Sequence, residues 1–105
     1  MNCSWTIKVS PGKKVELKFL DFNLETATNC RYDWLRAYDG TGSTAPPIGQ
    51  KLCGNSTPPN IISTRNEIHV KFSTDYSVND TGFRILYKET GKNFKFLIRL
   101  LNLMI

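Results

Sequence analysis

The sequence predicts an all-β domain, a two-sheet antiparallel β-sandwich, on three observations. Apolar residues recur with period two in several short segments, clusters of Gly, Pro, Ser and Asn separate those segments, and no apolar stripe of helical period occurs before residue 92. Runs of short strands between such turns favour stacked antiparallel sheets over alternating helices and parallel strands.

The first clear segment is KKVELKF, with Val15, Leu17 and Phe19 on one face and Glu16 and Lys18 on the other. After Phe19 the phase slips, and Leu20, Phe22 and Leu24 continue the alternation on the opposite parity. A bulge or a strand changing sheets produces such a slip. WLRAY is the next strand, and Asp39-Gly40 forms the turn after it. DGTGSTAPPIG and GNSTPPN read as loops. EIHVKF repeats the alternation with Ile68, Val70 and Phe72, and GFRILYK does so with Phe83, Ile85 and Tyr87. The final stretch, NFKFLIRLLNLMI, differs in kind: almost wholly apolar, with Lys95 and Arg99 four apart, it predicts a basic helix of about three turns. That is shorter than the roughly 20 apolar residues a bilayer span takes. Residues 90–105 are therefore read as a tail outside a domain of residues 1–89, with no membrane contact expected of it.

At 105 residues the chain holds one domain, and a hydrophobic content of 40% is enough for a small packed core that a cross-link would help. Three cysteines, with the sequons Asn2-Cys3-Ser4, Asn55-Ser56-Thr57 and Asn79-Asp80-Thr81, point to an oxidising, secretory setting, with Asn55 and Asn79 as glycan acceptors. The start MNCSW has no charged segment followed by an apolar one and so does not itself direct secretion, which leaves two readings: a signal upstream of it, or a different compartment. Of the fourteen basic residues, Lys92, Lys95 and Arg99 lie past residue 90, where there is no acid, and they supply much of the +5 net charge. No Lys/Arg run of the kind that binds nucleic acid occurs.

The segment NLETATNCRYDWLRAYDG sets Glu25, Asp33 and Asp39 among Tyr32, Trp34 and Tyr38, beside Cys30. A catalytic pair, a cation site and a solvated turn are three readings of it. Catalysis fits poorly: acid/base work needs carboxyls held across a substrate with separated pKa values, and no nucleophile accompanies them. His69, the one histidine, falls on the polar face of a strand, where a solvated side chain is expected, and no second His or spaced Cys completes a zinc set. The serines lack a G-x-S-x-G context. The expectation is a protein that is not an enzyme. The three aromatics read as core and sheet-face residues, with one at the rim of a site.

Six blocks, CSWTI, LKFLDFNLE, CRYDWLRAYDG, GQKLCG, PPNIISTRNEIHVKFSTDYS and GFRILY, resemble in order and spacing those of a CUB domain, the extracellular module of tolloid-type and complement proteases, cubilin, neuropilins and spermadhesins. The resemblance covers residues 3 to about 88 and implies a jelly-roll-like sandwich, here incomplete at its N-terminus, because the family places a further cysteine and several strands ahead of CSWTI. Family disulfides join the first cysteine to the second and the third to the fourth. This implies a Cys30–Cys53 bond and leaves Cys3 over. The resemblance further implies a Ca²⁺ site at one end of the sandwich, built from Glu25, Asp33 and Asp75 with Ser77 and the carbonyl of Val78 or the amide of Asn79. Converging carboxylates repel one another without a cation, and calcium takes six to eight such oxygens. The implied function is calcium-dependent binding of a protein partner, whose Lys or Arg side chain pairs with Glu25, Asp33 and Asp75 beside Tyr32. A spacing domain of a larger secreted protease or receptor, and a spermadhesin-like carbohydrate-binding domain, are the alternatives.

Overall fold

The computed structural model describes residues 2–24, 30–74 and 82–101, with the backbone alone for residue 2 and residues 96–101. Eight strands follow one another: β1 (Asn2–Lys8), β2 (Val15–Asn23), β3 (Trp34–Tyr38), β4 (Pro47–Leu52), β5 (Ile61–Ile62), β6 (Glu67–Ser73), β7 (Gly82–Glu89) and β8 (Lys95–Leu101). They form two antiparallel sheets, of order β1-β6-β3-β4 and β5-β2-β7-β8. The expected all-β sandwich is what the chain adopts.

The alternation read from the sequence explains the layering. Ile7, Leu35, Ala37, Ile68, Val70 and Phe72 from the first sheet meet Val15, Leu17, Phe19, Phe22, Phe83 and Ile85 from the second, and all are buried. Phe72 and Phe83 pack edge to face between the sheets, ring centroids 5.2 Å apart. Each such ring contributes roughly 1.5–3 kcal/mol by leaving water. At the open side of β2 the chain after β5 pairs once more. Buried Ser63 accepts the Val15 N–H on its hydroxyl at 2.8 Å, and its own N–H reaches the Val15 carbonyl at 2.9 Å.

The phase slip in β2 is a bulge. The β2–β7 register shifts between Phe19 and Asp21, so Leu20 turns to solvent while Phe22 and Leu24 return to the core. The strand stays in one sheet throughout.

The C-terminal stretch departs from expectation. Lys95–Leu101 is not helical but forms β8, antiparallel to β7, with Tyr87 opposite Lys95 and Gly82 opposite Leu101. An apolar run without a clear period takes either conformation. Here the exposed N–H and C=O groups along β7 offer partners for a full ladder, and tertiary pairing prevails over local pattern.

Cys30 and Cys53 are disulfide-bonded, their Cα atoms 5.6 Å apart, as the family resemblance implied. The bond closes a loop spanning 23 positions and stabilises the fold by about 3 kcal/mol in the chain-entropy model. Cys3 is a free, half-buried thiol on β1.

Candidate functional site

Asp33 occupies the position just before β3 and is fully buried. The register places Trp34 opposite Ser73, which brings Asp33 to the end of the sheet where β6 finishes at Ser73 and Thr74, itself buried, follows. The second sheet ends on the same side. β2 closes with Asn23 opposite Gly82 of β7, and the Leu24 N–H donates to the Gly54 carbonyl at 2.8 Å, next to Cys53. One end of the sandwich thus gathers a buried carboxylate, the disulfide and the points where the chain leaves Leu24 and Thr74. A carboxylate withdrawn from water is stable only among compensating partners, and this makes Asp33 chemically distinct from a loop acid.

Of the other residues expected in a calcium site, Glu25, Asp75, Ser77, Val78 and Asn79 lie outside the described residues. Among the described residues no three His, Cys, Asp or Glu side chains come together as a metal-binding group. Tyr32, expected at the rim, is exposed, and the Arg31 guanidinium stacks 4.9 Å from its ring centre.

Asp39 lies at the opposite end of β3 and makes a turn, as read. Its carboxylate accepts the Thr64 N–H at 3.0 Å and the Thr64 hydroxyl at 2.6 Å, while its own N–H donates to the Pro46 carbonyl at 2.7 Å. Gly40 follows because a β-carbon there would fall 2.7 Å from that of Ala45.

His69 differs from the solvated side chain expected. It is half-buried between Thr6, whose hydroxyl is 2.9 Å from Nδ1, and the Tyr38 ring, 6.1 Å between centroids. Burial holds its pKa below the ordinary 6.5, and the nearby Lys71 ammonium adds to the shift. Trp34 stands on the same outer sheet face, near Lys51 and Lys71, whose Nζ atoms are 4.4 and 5.7 Å from its ring centre.

The family model for the CUB domain matches residues 1–87. The chain belongs to the CUB family. Human cubilin is 39% identical over 90 residues, covering 86% of this chain and 2% of cubilin. Human tolloid-like protein 1 is 36% identical over 94 residues, covering 89% of this chain and 9% of the relative. Among solved structures, the full extracellular region of zebrafish Gpr126/Adgrg6 superposes with a TM-score of 0.72 at 38% identity, over 85% of this chain and 11% of that one. The chain therefore spans a small fraction of the length of these relatives, as one CUB domain does within a modular protein. It is an extracellular CUB domain, like its relatives. Among the described residues no helix is long and apolar enough to cross a membrane.

Proposed function

We propose that this CUB domain is a non-catalytic extracellular binding module that takes a basic side chain, Lys above all, from a protein partner at a calcium-ordered acidic site. The observation that carries this reading is Asp33, fully buried at the end of the sandwich from which the segments bearing Glu25 and Asp75 depart. Glu25, Asp33 and Asp75, with the Ser77 hydroxyl and the Val78 carbonyl, supply the hard oxygens that Ca²⁺ selects. Bound calcium would neutralise the mutual repulsion of three acids and fix their geometry. Carboxylate oxygens left over then meet an ammonium or guanidinium at low entropic cost, and such charge-assisted bonds are strong. Tyr32, exposed two positions from Cys30, offers an aromatic rim.

Calorimetry tests the metal. Calcium should raise the melting temperature, with an affinity in the roughly 10⁻⁴ to 10⁻³ M range of extracellular modules. Asp75→Ala should abolish the increase. Asp39→Ala should lower the melting temperature itself, through loss of the Thr64 bonds, yet keep the calcium increment. An increment unaffected by Asp75→Ala rejects the ligand set.

A further inference from the structure

A second surface, of opposite charge, lies on the outer face of the β1-β6-β3-β4 sheet. The register sets Arg36 of β3 directly opposite Lys71 of β6, two cations on neighbouring strands. Like charges so placed destabilise a sheet. Lys51 joins them from β4, its ammonium 4.4 Å from the centre of the Trp34 ring, with that of Lys71 of β6 at 5.7 Å. No described acid relieves this cluster: Asp33 is buried, Asp39 is bound to Thr64, and Glu67 faces Lys8 at 3.9 Å.

The cluster is also held in place. Gly49 adopts φ 73°, in the left-handed region, where the β3–β4 register is irregular. Its carbonyl accepts both Nε and Nη2 of Arg36, at 3.3 and 3.0 Å. The guanidinium is thereby fixed, and among the described residues its other N–H groups make no further hydrogen bond. Beside it opens a depression of about 370 Å³ lined by Cys30, Arg36, Gln50 and Lys51.

We propose that this face binds a sulfated polysaccharide, with Arg36, Lys51 and Lys71 pairing with sulfate groups and Trp34 packing against a sugar ring. Charge complementarity calls for a polyanion. The topology favours a glycan over an acidic peptide, because β3 and β6 are interior strands whose backbone groups are already paired on both sides. At Arg36 and Lys71 a peptide would find no strand edge to extend, the edge of β4 beside Lys51 being the only one near, whereas a sulfated glycan carries a dense row of acceptors that needs only side-chain donors. The proposal does not rest on calcium, and the experiment is run in EDTA to keep the two sites apart.

The test measures binding of a heparin oligosaccharide to the full chain at about 0.15 M salt, against the same oligosaccharide stripped of sulfate and a poly-glutamate peptide. The double variant Arg36→Gln/Lys71→Gln should weaken heparin binding about tenfold and lower the slope of log affinity against log salt by about 1.5. Lys13→Gln/Lys14→Gln, with the same loss of charge away from this face, should stay within about twofold. The first double variant removes a repulsion but also the two Arg36 bonds to Gly49, so its melting temperature is measured alongside and should stay near that of the unaltered chain. If it does fall, Lys51→Gln, an exposed side chain, carries the test with a loss of about threefold. The proposal is overturned by absence of heparin binding, by equal loss in both double variants, or by poly-glutamate or desulfated oligosaccharide binding as tightly as heparin.

Discussion

The outer faces of the two sheets use the same residue types to opposite ends. On the β5-β2-β7-β8 sheet the β2–β7 register sets acid against base: Glu16 faces Lys88, with side chains 3.7 Å apart, and Asp21 faces Arg84, to which it is hydrogen-bonded, so that Arg84, although it also lies opposite Arg99 of β8, has an acid beside it. On the β1-β6-β3-β4 sheet Arg36 faces Lys71. Each sheet also has an aromatic ring near two ammonium groups, Phe94 near Lys18 and Lys88 and Trp34 near Lys51 and Lys71. The difference is that Glu16 neutralises Lys88, whereas no described acid neutralises Lys71. Across β2 and β7 the cations that face acids are neutralised, whereas across β3 and β6 Arg36 and Lys71 present their charges. Cross-strand pairs are worth roughly 0.2–1 kcal/mol, so a fold of ordinary stability tolerates one unfavourable pair, and the excess charge remains available to a ligand.

The largest effect that probes this contrast comes from the disulfide. The loop it closes carries Asp33, Trp34, Arg36 and Lys51, hence parts of both proposed sites, and none of the second sheet. Cys53→Ser should cost about 3 kcal/mol in denaturant unfolding, and hydrogen exchange should accelerate in β3 and β4 before β2 and β7. Uniform acceleration would show that the two sheets open as one unit.

A charge swap reads the contrast directly. Lys71→Glu places an acid opposite Arg36 and should stabilise, while Lys88→Glu sets an acid opposite Glu16 and should destabilise, each by less than about 1 kcal/mol. Both shifts should shrink in high salt. Shifts of equal sign in thermal melts would mean that the two faces do not differ electrostatically as described.

The smallest effect is at His69. Because its folded pKa lies below the unfolded value near 6.5, the unfolded chain takes up its proton first as pH falls. The contribution of neutral His69 is therefore complete above about pH 6.5 and lost as pH drops below it. Lys71→Gln removes the lesser cause, so an NMR titration should show the pKa rising only part of the way, with burial retaining the rest. A full return to 6.5 would assign the shift to the basic cluster instead.

How much of this was legible in the sequence depends on distance along the chain. Period-two alternation in KKVELKF, EIHVKF and GFRILYK identified core faces correctly, because the side-chain period of a strand is a local property. The bulge after Phe19 was legible for the same reason, although the turn of Leu20 to solvent was not. Trp34 and Arg36 share a parity within WLRAY, and Lys71 lies opposite to Val70 and Phe72 in EIHVKF. Those strands are separated by some thirty residues, and nothing local states that Arg36 will face Lys71. The disulfide came from family resemblance, since three cysteines allow more than one pairing.

By itself, then, the sequence determined the strand faces, the turn at Asp39 and the family, all of which depend on neighbours in the chain or on its order of motifs. Only the tertiary structure decided that Lys95–Leu101 is a strand, that Asp33 is buried at the end where β2, β3, β6 and β7 terminate, and that Lys71 lies opposite Arg36 while it and Lys51 approach Trp34. The reason is the same in each case: an unpaired backbone edge, the burial of a carboxylate and a repulsion between cations depend on which strand lies alongside, and register is set by the packing of the whole sandwich.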